Sequence, residues 1–175
     1  MGVSHSIAAP APKVLVLGDS LSAAYGMNME QGWVHLLSQK LKARAPESSV
    51  VNASISGDTT GGGARRLPAL LKEHEPTLVI IELGGNDGLR AYPIKQMRTH
   101  LTGRTRASQN ANAKVLLLAA EAPPNLGRRY TTMFRDSYAQ VAQQDDVAVL
   151  PRLYKVQYED GDIEEYTLAE LRQIL

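Results

Sequence analysis

One serine in this chain stands where a side chain can react. In Lys13-Val14-Leu15-Val16-Leu17-Gly18-Asp19-Ser20-Leu21, four consecutive apolar residues have the length of a strand buried on both faces, and the run breaks at a glycine to deliver an acid and a serine. At the carboxyl end of a central parallel strand, such a hydroxyl projects into the crevice where open α/β sheets bind ligands. The same residues also fit a plain Asp/Ser cap opening a helix. Two further stretches weigh toward the reactive reading. Asn52-Ala53-Ser54-Ile55-Ser56-Gly57-Asp58-Thr59 and Gly84-Gly85-Asn86-Asp87 each follow directly on another apolar run. Three polar, glycine-bearing stretches after three parallel strands share one edge of the sheet, which is what an active site needs.

Gly18-Asp19-Ser20-Leu21 resembles the nucleophile block of the SGNH (GDSL) hydrolases, and within them the small bacterial esterase, thioesterase I and lysophospholipase group. Gly57 falls in that family's glycine block and Asn86 in its asparagine block. The resemblance runs from about residue 13 to about residue 150 and takes in Pro123-Pro124-Asn125-Leu126-Gly127, a loop bordering the site in this group. It implies a flavodoxin-like three-layer α/β/α fold with a five-stranded parallel sheet. It also implies a serine ester hydrolase acting on small-molecule acyl esters or thioesters, with no cofactor and no metal. In that role Ser20 is the nucleophile, and the backbone N–H groups of Ser20 and Gly57 with the side-chain amide of Asn86 form the oxyanion hole. The chemistry suits the residue types, because glycine can present an amide where a Cβ would block substrate and an asparagine amide is a donor that no proton neutralises. Pro124, Asn125 and Tyr130 are candidate walls of an acyl pocket, although Tyr130 reads equally as core. Gly57 as a turn glycine and Asn86 as an Asx-turn residue are the plain alternatives.

The resemblance breaks at its last block. The family places Asp-x-x-His before the final helix, and this chain has no histidine after His100. His5 lies in the leader, His35 two positions from Trp33 and off the buried face, His74 ahead of the third strand and so at the opposite edge, and His100 two turns into the helix after Asn86. No triad Asp or His is therefore assigned; Asp160 or Asp162 would stand at the acid's place without an imidazole to orient. A catalytically inactive SGNH-fold protein that binds a ligand in the same crevice is the alternative function. Asp19 and Asp87 read as capping groups. Gly61-Gly62-Gly63 lacks the Gly-Lys-Ser/Thr ending of a phosphate loop, so small residues at a helix start account for it, and a nucleotide or signalling module has no supporting motif.

The elements that must position these residues follow from periodicity. Residues 31–45 space Trp33, Leu36, Leu37 and Leu41 as an amphipathic helix, and a short strand follows over 49–53. Residues 60–74 make a helix with Leu67, Leu70 and Leu71 inward, in which Pro68 predicts a kink or a late start. The third strand, 77–83, carries Glu82 at a central position, where a partner must meet it or its proton affinity rises. The helix over 94–110 begins an apolar stripe at Ile94, Met97 and Leu101 that runs onto Arg104 and Thr105, which predicts poor local packing. A fourth strand spans 113–119, a strongly amphipathic helix carries Tyr130, Met133, Phe134, Tyr138 and Val141, and a fifth strand spans 147–150. Strands alternating with helices give a doubly wound parallel sheet.

The 175 residues divide into a leader over 1–12, a hydrolase-like domain over 13–150, and an atypical tail over 151–175 with a predicted hairpin at Asp160-Gly161 and a short helix from Thr167. The 19 Lys and Arg against 18 Asp and Glu disfavour a nucleic-acid partner. Without cysteine there is no disulfide or thiolate chemistry. No apolar run approaches a membrane span and the N-terminus shows no signal core, so the chain reads as soluble. Its location stays open, since members of the resembling group are often periplasmic. Oligomeric state is not legible.

Overall fold

The computed structural model describes residues 11–150; the expectations for 1–10 and for the hairpin and helix of 151–175 lie outside the described residues. In chain order the elements are β1 (Lys13–Gly18), α1 (Trp33–Arg44), β2 (Ser49–Asn52), α2 (Thr60–His74), β3 (Leu78–Glu82), a short α3 (Gly85–Leu89), α4 (Ile94–Asn110), β4 (Lys114–Leu118), α5 (Arg128–Asp145) and β5 (Ala148–Leu150). The five strands form one sheet in the order β2-β1-β3-β4-β5, and every pairing is parallel. After β2 the chain crosses back over β1 to pair with its other edge, so β1 and β3 flank the switch point where open α/β sheets bind ligands.

Period-two alternation along the strands builds the layers. Val14, Val16, Leu78, Ile80, Leu116 and Leu118 pack with Trp33, Val34, Leu37 and Leu41 of α1 on one face. Leu15, Leu17, Val79, Ile81 and Leu117 pack on the other face with Leu67, Met97, Leu101, Phe134 and Tyr138, which come from α2, α4 and α5. Both faces of the central strands are dry, which is why their sequences read as unbroken apolar runs.

Three expectations are modified. Pro68 neither delays α2, which starts at Thr60, nor stops it before His74. Its missing N–H would have reached the Ala64 carbonyl, and both residues lie on the exposed side, where water can take over that carbonyl. Met133 is 42% exposed while its neighbours Phe134 and Tyr138 are buried, because a step of 100° carries it off the inward stripe. The weak stripe of α4 is packed all the same: Arg104, Thr105 and Ser108 are buried in it, Arg104 to 1% exposure.

Candidate active site

Ser20 opens a helical turn directly after β1, with Ala23 N–H donating to Asp19 O (3.0 Å) and Tyr25 N–H to Ser20 O (3.1 Å). Both neighbouring strands hold this turn. From β2, Asn52 Nδ2 donates to Ser22 O at 2.7 Å. From β3, Glu82 Oε2 accepts the Ser22 hydroxyl at 2.8 Å and the Asp19 N–H at 3.3 Å.

Gly57 sits in the turn after β2 at φ +80°, the left-handed region that favours glycine, and a Cβ there would meet open space. Its neighbour Asp58 fixes the turn to α2, accepting Thr59 N–H on Oδ1 at 2.9 Å and Arg66 Nε and Nη2 on Oδ2 at 3.2 and 2.5 Å. A Cβ on Gly62 would fall 1.7 Å from Asp58 Oδ1, so the small residues at the start of α2 permit this close approach.

Asn86, in α3, draws the loops together. Its Nδ2 donates to Asp58 O at 2.9 Å and to Asp19 Oδ2 at 3.2 Å, joining the residue beside Gly57 to the residue beside Ser20. Both amide hydrogens are therefore engaged, a feature the sequence does not announce. The backbone N–H groups of Ser20 and Gly57, by contrast, have no hydrogen-bond acceptor among the described residues. Asp19 and Asp87 cap and hold loops. Asp19 Oδ1 accepts Leu21 N–H at 3.0 Å, and Asp87 accepts both the N–H (2.8 Å) and the hydroxyl (2.5 Å) of Thr60 at the start of α2.

Of the acids around the site, Asp58 is paired with Arg66, while Glu82 and Asp19 have no ion pair among the described residues. Burial, reinforced by the charge of Asp19, pushes the Glu82 carboxyl up to about 8. Asp19 is raised as well, first by burial and further by Asp58, against the pull of the Leu21 N–H. Arg104 is lowered to about 10 by burial, with Asp87 and Asp58 opposing the shift, and none of its three guanidinium nitrogens has a hydrogen-bond partner among the described residues.

None of the three described histidines donates to or accepts from the Ser20 turn. His35 Nε2 pairs with Gln39 at 2.9 Å, His74 ends α2 beside Glu73, and His100 Nδ1 lies 3.2 Å from Thr60 Oγ1, its proton affinity lowered by burial and then by Arg104. Among the described residues no group of three or more His, Asp or Glu could hold a metal, and no helix is long and apolar enough to cross a membrane. Pro124 and Asn125 are exposed in a 3-10 turn, Pro124–Leu126. Tyr130 is half-buried, stacks on Phe134 with ring centroids 6.2 Å apart, and donates its hydroxyl to Tyr92 O at 2.7 Å. It thus braces the segment after α3 against α5.

A parallel sheet in this strand order, with the turns after β1, β2 and β3 locked to one another, has the architecture of the SGNH hydrolases. The chain belongs to the GDSL-like lipase/acylhydrolase family, whose model matches residues 16–170. It is 50% identical over 143 residues to esterase TesA of Pseudomonas aeruginosa, covering 82% of this chain and 71% of that protein. To thioesterase 1/protease 1/lysophospholipase L1 of Escherichia coli K12 it is 47% identical over 144 residues, covering 82% and 68%. Among solved structures, the psychrotrophic esterase EstA from Pseudoalteromonas sp. superposes with a TM-score of 0.79 at 44% identity, over 90% of this chain and 86% of that one.

Proposed function

We propose that the protein is a serine ester hydrolase for small acyl esters or thioesters, in which Ser20 is the nucleophile. Its Oγ attacks the acyl carbon, the carbonyl oxygen gains the negative charge, and collapse of the adduct expels the alcohol or thiol and leaves an acyl group on Ser20 for water to remove. The observation that carries the reading is the pair of uncommitted N–H groups, Ser20 and Gly57, on two turns that Asn86 ties together. Free amide donors beside a serine at a sheet's carboxyl edge are what an oxyanion needs. Asn86 contributes a third donor by turning one hydrogen from Asp19 or Asp58 toward the oxyanion. Pro124, Asn125 and Tyr130 border the acyl side of the crevice.

Among the described residues the proton of Ser20 has no histidine acceptor, since His35, His74 and His100 are engaged elsewhere. Removing the base from a serine hydrolase costs about a million-fold in turnover, with a remainder supplied by the oxyanion donors and binding. That same observation favours the second reading, a protein of this fold that binds acyl ligands without turning them over. Turnover of a short-chain nitrophenyl ester separates the two, because nitrophenolate departs without needing a proton. A slow rate abolished in Ser20→Ala supports the hydrolase. Ester binding with no difference between the chain and Ser20→Ala supports the binding protein.

A further inference from the structure

Glu82 is the one charged residue in the otherwise apolar β3 sequence Leu-Val-Ile-Ile-Glu, and it is 1% exposed. A buried carboxyl costs several kcal/mol that an apolar side chain would not. Its register partner across the switch point is Gly18, the last residue before the serine turn. One oxygen, Oε2, accepts from the residue immediately before Ser20 and from the residue two after it. The carboxyl also meets that of Asp19 directly, and Asp19 in turn holds Leu21 N–H and Asn86 Nδ2.

We propose that Glu82 is a positioning residue for Ser20: fixed at the end of the central strand, it grips both flanks of the serine turn and, through Asp19, sets the turn against Asn86. The proposal rests on the reading of Ser20 as nucleophile. The two tethers to Oε2 are available in either protonation state; it is the contact with the Asp19 carboxylate that favours Glu82 as a neutral acid, its other oxygen carrying a proton toward Asp19. Burial and Asp19 keep that proton on to about pH 8. The groups facing it among the described residues are the Asp19 carboxyl, the Ser22 hydroxyl and the Asp19 N–H from the β1 turn and the Tyr138 hydroxyl from α5; the Ser22 and Asp19 N–H donors favour the ionised form, and burial with the charge of Asp19 outweighs them. When Glu82 ionises, two buried carboxylates stand against each other and Asp19, the residue before Ser20, is pushed away from Glu82. A displacement of about 1 Å at the reacting atom costs on the order of 100-fold in rate.

The experiment follows Ser20-dependent nitrophenyl ester turnover and the labelling of Ser20 by an alkyl fluorophosphonate, read by intact mass, from pH 6 to 9.5. The chain itself should lose kcat and labelling rate above about pH 8 with KM little changed. Glu82→Gln keeps an acceptor oxygen and cannot ionise, so its alkaline loss should vanish. Ser22→Ala, which removes one of the two tethers, should lower kcat several-fold at pH 7 while leaving the fold intact. An unchanged alkaline limb in Glu82→Gln, or full kcat in Ser22→Ala, overturns the proposal. Turnover and labelling that persist in Ser20→Ala would instead overturn the nucleophile assignment on which it rests.

Discussion

Replacing Arg104 by methionine should stabilise the protein. Arg104 is 1% exposed, and its Nε, Nη1 and Nη2 have no partner among the described residues, in a buried stripe shared with Ile94, Met97, Leu101, Thr105 and Ser108. Its ionisation is lowered from 12.5 to about 10, and at 1.36 kcal/mol per unit that corresponds to about 3 kcal/mol spent at neutral pH on holding the charge inside. The sign is that of a base with a depressed folded value: the cost is present in full below pH 10 and relieved only as the pH rises toward 12.5. Exchange of buried ionic groups for apolar ones of similar volume gains about 1–4 kcal/mol, which agrees. A net gain of about 2 kcal/mol in a chain of this size raises Tm by about 4–8 °C. Thermal and urea unfolding of Arg104→Met at pH 7 measure it, with Arg104→Ala as the control that removes the charge but leaves a hole. A Tm lowered by several degrees in Arg104→Met would refute the reasoning, because it would mean that the attraction of Asp87 and Asp58 outweighs the burial.

Tyr138→Phe removes the hydroxyl that donates to Leu83 O at 2.8 Å and leaves that buried carbonyl unpaired, so the urea midpoint should fall by the equivalent of about 1–3 kcal/mol. Gly57→Ala meets no atom but must hold φ +80°, a strain of about 1–2 kcal/mol, and should lose turnover out of proportion to its small loss of Tm as the turn relaxes.

The sheet was legible because its central strands are buried on both faces and so spell themselves out as Val-Leu-Val-Leu, Leu-Val-Ile-Ile and Val-Leu-Leu-Leu. Glu82 could be singled out for the same reason, as a charge interrupting such a run. What periodicity does not carry is which polar atoms meet. Asn52 holding Ser22 O and Asn86 spending both hydrogens on Asp58 and Asp19 are contacts between segments 28 to 67 residues apart, Arg66 holding Asp58 spans eight residues, and none leaves a pattern in the local sequence. Arg104 was visible as a break in a helical stripe. That the break is buried rather than turned outward could be decided only by α4 packing against both α2 and α5.

The return of β3 to the far edge of β1 also dictates an order of events. The pairing of β1 with β2 closes the shorter loop, 36 residues, while its other edge needs β3, whose register partners lie 64 residues downstream, so the shorter closure is the less costly one to make first. Until Leu78–Glu82 has been made and has crossed over, the strand bearing Ser20 presents an unpaired, wholly apolar edge, the kind of template on which nascent chains stick to one another. The pairing that completes the crevice is thus the same one that closes this hazard, and slow, non-local closure of that kind sets the pace of folding for the whole sheet.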